Sequence, residues 1–176
     1  MHKMTLTKLE VARKQLIVAI RLFFCESDPI SIETLAGAAN GVLRGLAAAK
    51  GIQSPIHDTD LIKPEYKKEW ISKLHESQNF FKHADRDSDA SLDFNPEWIK
   101  FVILEACILI RQISQDANSP LLKECILFEI WFANSYPQYL KDPEIFNSFM
   151  SQYNIKSANW QDFEIMRMAL GIKEGI

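Results

Sequence analysis

The chain has 176 residues, of which 47% are hydrophobic and 24% charged, and a formal net charge of −3. That mixture excludes a disordered chain and suits one domain, 1–176, with a sizeable core. The small negative balance gives no overall attraction to nucleic acid or an anionic membrane, and leaves that role to a local basic patch.

Helical periods recur along the sequence and strand alternation does not. A first helix is expected over about 7–25, opened by Thr7 and Glu10 at capping-box spacing. Leu9, Ala12, Leu16, Ile20 and Phe23 form its apolar stripe. A second helix is expected over about 32–50, with Ser31 as cap and Gly51 as stop. Leu35, Ala39, Val42, Leu43 and Leu46 share one of its faces; Gly37, Gly41 and Gly45 lie opposite, with Arg44 and Ala48. A glycine inside a helix costs about 1 kcal/mol relative to alanine. Three on one face point to a neighbouring helix that comes close, or else to a tolerated solvent face.

After a loop over 52–63, Pro64 starts a third helix that runs to about 84. An acidic loop follows, and Asn95 with Pro96 opens a fourth helix. This helix is apolar nearly all round, which marks a central element. Its Glu105 and Arg111 need an edge position or an internal ion pair, since a lone buried charge is too costly. A fifth helix starts at Ser119-Pro120 and ends near 134, with Trp131 and Phe132 on a core stripe. A sixth opens at Asp142-Pro143, and a seventh covers about 160–170 before Gly171. The expected class is therefore all-α: a bundle of four longer helices with shorter C-terminal ones.

Cys25, Cys107 and Cys125 are odd in number, lack CxxC spacing and fall in apolar helical stretches, so they read as buried thiols in a reducing compartment. The first residues lack the apolar core of a secretory signal, and no apolar run is long enough to span a membrane. The expectation is a soluble, cytoplasmic protein.

At about 100° per residue, the third helix places Tyr66, Trp70, Leu74, Phe81 and Ala84 on one side, with Phe80 at its edge. His75, Asn79, Lys82, His83 and Arg86 fall on the other. Its imidazoles are thus expected to face away from the core, on a solvated face or in a site completed by another element or a second subunit. His83 has the chemistry of a general acid or base near neutral pH. Lys82 and Arg86 suit a phosphate, and Asn79 suits a substrate oxygen or the imidazole itself. Such a set has the chemistry to cleave RNA without metal, because the 2′-hydroxyl is an internal nucleophile.

The loop after this helix alternates Asp85, Asp87, Asp89, Ser91 and Asp93, the pattern of the odd ligand positions of an EF-hand loop. Ala90 stands where that loop needs glycine, and Pro96 where it needs a bidentate glutamate. Two readings stay open: a structural Ca²⁺ or Mg²⁺ site, or a solvated acidic loop leading to the Asn95 cap. His57-Asp58-x-Asp60 reads as turn and capping residues rather than metal ligands. No Gly-rich phosphate loop, GxSxG or HExxH is present.

"NFFKHADRD" at 79–87, with "DPISIETL" at 28–35, resembles the signature of a family of uncharacterised bacterial proteins, and the likeness covers roughly 8–135. More distantly the chain resembles HEPN domains: helical bundles, often dimeric, many of them metal-independent ribonucleases. Their motif is an arginine, a polar residue, a few intervening positions and a histidine. Gln78 stands at the arginine, Asn79 at the polar position and His83 at the histidine, with Lys82, Arg86 or Arg44 as substitutes for the missing guanidinium. The resemblance implies a HEPN-like homodimeric binding module for RNA, a nucleotide or a protein, using the polar face of the third helix. The alternative it implies is a toxin- or defence-type ribonuclease with His83 as general acid or base. The acidic loop suggests a third reading, an interaction domain stabilised by Ca²⁺ or Mg²⁺.

Overall fold

A computed structural model describes residues 3–58, 64–83, 88–115, 122–139, 151 and 159–173. Its six described helices are α1 (Lys8–Phe24), α2 (Pro29–Ala48), α3 (Pro64–Lys82), α4 (Ile99–Gln115), α5 (Lys123–Ser135) and α6 (Phe163–Leu170). Short 3₁₀ turns occupy Pro96–Trp98 and Pro137–Tyr139, and there is no strand among the described residues. The protein is all-α. The helix starts expected at Ser119-Pro120 and Asp142-Pro143 lie outside the described residues.

Local chemistry sets the helix ends. The capping box closes as expected: the Glu10 amide donates to Thr7 Oγ1 at 3.2 Å, and the Thr7 amide to Glu10 Oε2 at 2.8 Å. The start of α2 differs from expectation. Asp28, not Ser31, is its cap: Asp28 Oδ2 accepts the Ser31 amide at 2.8 Å, and Pro29 takes the first turn. Proline is compatible there because its missing N–H would have no intrahelical partner. Asn95 caps as expected, but the first turn is 3₁₀ and α4 proper begins at Ile99. Gly171 ends α6 in the left-handed region, at φ 68°.

The helices α1, α2 and α4 pack on one another and hold the centre of the core, with Leu16, Ile20, Leu43, Ile103 and Leu109 fully enclosed. A second, aromatic cluster joins α1, α5 and α6. Phe23 meets Trp131 at 4.9 Å between ring centres, and Phe24 meets Phe163 at 5.4 Å. Arg167 of α6 also donates to the Phe24 carbonyl at 3.0 Å, which satisfies a free carbonyl at the end of α1. Arg111 pairs with Glu129 at 3.4 Å, an internal ion pair of the kind its surroundings required. Cys107 and Cys125 are buried free thiols, and Cys25 is half-buried. No helix among the described residues is long and apolar enough to cross a membrane.

Of the three glycines of α2, only Gly37 has a close neighbour. A Cβ there would stand 1.9 Å from the Gln78 side-chain amide of α3, whereas Gly41 and Gly45 face open space. Gln78 has little freedom to withdraw, because its Nε2 donates to the Glu33 carbonyl at 2.7 Å and to Glu33 Oε1 at 3.0 Å. Gly37→Ala should therefore lower stability by about 1–3 kcal/mol, as charge-assisted hydrogen bonds are lost. Gly45→Ala should raise it by up to about 1 kcal/mol through helix propensity. Urea denaturation of the two variants checks the opposite signs; equal shifts would refute the account.

Candidate functional site

Glu105, on the apolar helix α4, is 1% exposed. A carboxylate so placed survives only if fully hydrogen-bonded, and five groups supply that. Asn40 Nδ2 of α2 donates to Oε2 at 2.8 Å. The loop before α3 supplies the rest: the Ser54 hydroxyl, the Ile56 amide at 3.2 Å, the His57 amide at 3.3 Å, and His57 Nδ1, which lies 3.0 Å from Oε1 and 2.9 Å from Oε2. Burial alone would raise the Glu105 pKa. The bonds from His57, Ser54 and Asn40 overrule it and hold the group at about 2. The loop itself is closed by Asp58, whose Oδ2 accepts the Ser54 amide at 2.7 Å, the turn role expected of it.

The ionised carboxylate only accepts, so His57 Nδ1 carries a proton toward it. His57 Nε2 faces outward and meets His75 Nε2 of α3 at 3.1 Å. The result is a carboxylate–imidazole–imidazole chain from the core to the wall of a cavity. His75 is held below the usual histidine range by burial first, then by the charges of Arg44 and His57. Arg44 is itself lowered by burial and partly restored by Glu105 and Asp58.

The cavity, of about 300 Å³, lies between α2, α3 and α4. Its lining includes the polar Glu33, Asn40, Arg44, His75 and Gln78 and the apolar Leu74, Leu92, Phe94, Phe101 and Trp98. Asp93, Asn95 and Trp98 are exposed and place its mouth beside the loop that leads into α4. Four lining residues carry buried atoms with no hydrogen-bond partner among the described residues: Glu33 Oε2, Asn40 Oδ1, Gln78 Oε1 and Arg44 Nε. The amide orientations are fixed, because the Asn40 and Gln78 NH₂ groups donate elsewhere, to Val102 and Glu105 and to Glu33. Glu33 is 2% exposed, and burial raises its pKa against the pull of hydrogen bonds from Gln78 and Ser77.

The expected outward face of α3 is therefore divided. His75 lines the cavity, where His57 offers it a partner. Asn79 and Lys82 are exposed; His83, just past the helix, is half-buried, and its amide donates to the Asn79 carbonyl at 3.2 Å. Asp85, Arg86 and Asp87 lie outside the described residues, while Asp89, Ser91 and Asp93 are exposed. Among the described residues no three His, Cys, Asp or Glu side chains gather as metal ligands. The sequence reading set His57 aside as a turn residue and so missed the relay. Its available signal was Glu105, a charge in an apolar helix that demanded a partner.

The chain matches no protein-family model, no curated protein and no solved structure.

Proposed function

We propose that this protein is a helical binding module whose ligand sits in the α2–α3–α4 cavity, a small flat molecule with N–H donors on one edge, of the nucleobase kind. The observation that carries this reading is that Glu33, Asn40 and Gln78 line the cavity and that each has a buried oxygen without a partner among the described residues. A buried acceptor left unpaired costs about 1–3 kcal/mol, which a donating ligand recovers. Phe94, Phe101 and Trp98 also line the cavity and supply aromatic rings for such a ligand. A pocket with a mostly apolar lining and a few convergent polar groups has the general form of a small-molecule site. The HEPN-like, homodimeric reading is compatible with this one and shares its nucleotide partner class; the helical architecture and the placement of Asn79 and His83 at the end of α3 support it.

The test is an NMR titration of ¹⁵N-labelled protein with adenosine, cytidine and uridine. Adenosine or cytidine, which carry an exocyclic amine, should shift the side-chain amides of Asn40 and Gln78 and the Trp98 indole, with uridine weaker. Gly41→Leu, at a cavity-lining position with free space around it, should keep the fold and abolish those shifts. Silence with all three nucleosides at millimolar concentration, or shifts that survive Gly41→Leu, would sink the proposal.

A further inference from the structure

The geometry points to a second use of the same cavity: His57 and His75 together bind one divalent transition-metal ion of the zinc or cobalt type. Their Nε2 atoms face each other at 3.1 Å. Two imidazole nitrogens bound at about 2.0–2.1 Å to one tetrahedral ion stand roughly 3.3 Å apart. A straight N–H···N bond of the observed length would set the ring centres roughly 5.4 Å apart. They stand 5.0 Å apart, with the ring planes at 30°. At least one ring axis therefore leaves the N···N line, a bend that suits two lone pairs directed at a shared ion.

The far side of His57 supports the assignment independently. Its Nδ1 lies against both Glu105 oxygens, at 3.0 and 2.9 Å. A carboxylate on the distal nitrogen fixes the tautomer of a ligating histidine, orients its ring and raises its basicity. The carboxylate is buried and is held by Asn40 and Ser54 as well, so the ligand ring is positioned before any ion arrives. Imidazole donors suit zinc, cobalt, nickel and copper rather than calcium or magnesium. Arg44, whose charge acts on both His75 and Glu105, opposes the cation. With only two protein ligands the ion is weakly held and exchangeable, and its remaining positions face the cavity, open to water or to a donor atom of a bound molecule. The assignment does not depend on the nucleobase reading.

The experiment is a titration of the chelator-treated protein with Co²⁺, followed by visible d–d absorption, and then with Zn²⁺ as competitor. The expected result is a tetrahedral-type spectrum that saturates at one ion per chain and is lost when Zn²⁺ displaces the cobalt. His75→Gln, at a half-buried position on a peripheral helix, should weaken binding at least about tenfold, the scale of effects seen around metal ligands. His83→Gln should leave it unchanged. His57→Gln should match His75→Gln once its helical circular dichroism is shown to equal that of the wild type. No cobalt spectrum, or one that survives His75→Gln, overturns the assignment and leaves the two rings sharing a proton.

Discussion

Glu105→Ala lowers the unfolding free energy by about 3–5 kcal/mol, the scale for breaking a buried pair from one side. The loss does not come from the removed carboxylate, whose burial is itself unfavourable. It comes from what stays behind: the Ser54 hydroxyl, the Ile56 and His57 amides, His57 Nδ1 and one Asn40 N–H lose their common acceptor together. Urea denaturation at neutral pH measures the effect, and a change under about 1 kcal/mol would refute the network as a stabilising unit. The same group predicts an acid limb. Its folded pKa lies near 2 against an ordinary 4.5, so the unfolded chain takes up the proton first. The stabilisation is fully present above pH 4.5 and drains away as pH falls through about 2, with about 3 kcal/mol at stake. Glu33 works with the opposite sign, since burial raises its folded pKa and acid relieves that strain. The contribution of Glu105 is therefore read as the difference between wild type and Glu105→Gln across pH 2 to 5, since the two groups shift in opposite directions. Parallel curves over that range would contradict the assignment.

Trp131→Ala costs about 3–5 kcal/mol, as expected for a large aromatic removed from a packed core. Trp131 lies within 6 Å of five other rings, Phe23 at 4.9 Å, Phe128 at 5.3 Å, Phe163 at 5.6 Å, Tyr136 at 5.8 Å and Phe24 at 5.9 Å. These rings come from α1, α5 and α6 and from the turn after α5, so the hole left by alanine has walls that cannot collapse from one side. Thermal unfolding followed by circular dichroism checks this. A companion substitution of Phe81, a half-buried ring on α3 that meets Phe94 at 5.4 Å, serves as the contrast and should cost much less, because less area is removed from water.

The parts of the fold legible in the sequence are those set by neighbours three or four residues apart. Thr7 and Glu10 announce α1, Pro64 announces α3, and Gly171 ends α6, because caps and stops are written locally. Asp28 shows the limit of that logic: two good caps lay three residues apart, and the proline between them decided in favour of the earlier one. The site was legible only in part. Glu105 declared that it needed a partner, but His57 lies 48 residues away in a loop without periodicity, so nothing in the sequence could pair them. The angular reading of α3 left His75 to a solvated face or to a site completed by another element, and could not name the loop residue His57 as that element. Gly37 of α2 admits the Gln78 side chain, which a larger residue there would exclude.

The helix α3 rests on the bundle without a single fully buried residue among its described side chains. It is fastened by polar latches, Ser77 and Gln78 to Glu33 and His75 to His57. Detaching it forfeits little greasy surface, so its opening draws on a small fraction of the energy that holds α1, α2 and α4 together. Amide protons along α3 would then trade with solvent long before those of the central trio, and a guest in the cavity would come and go while the rest of the bundle stays shut.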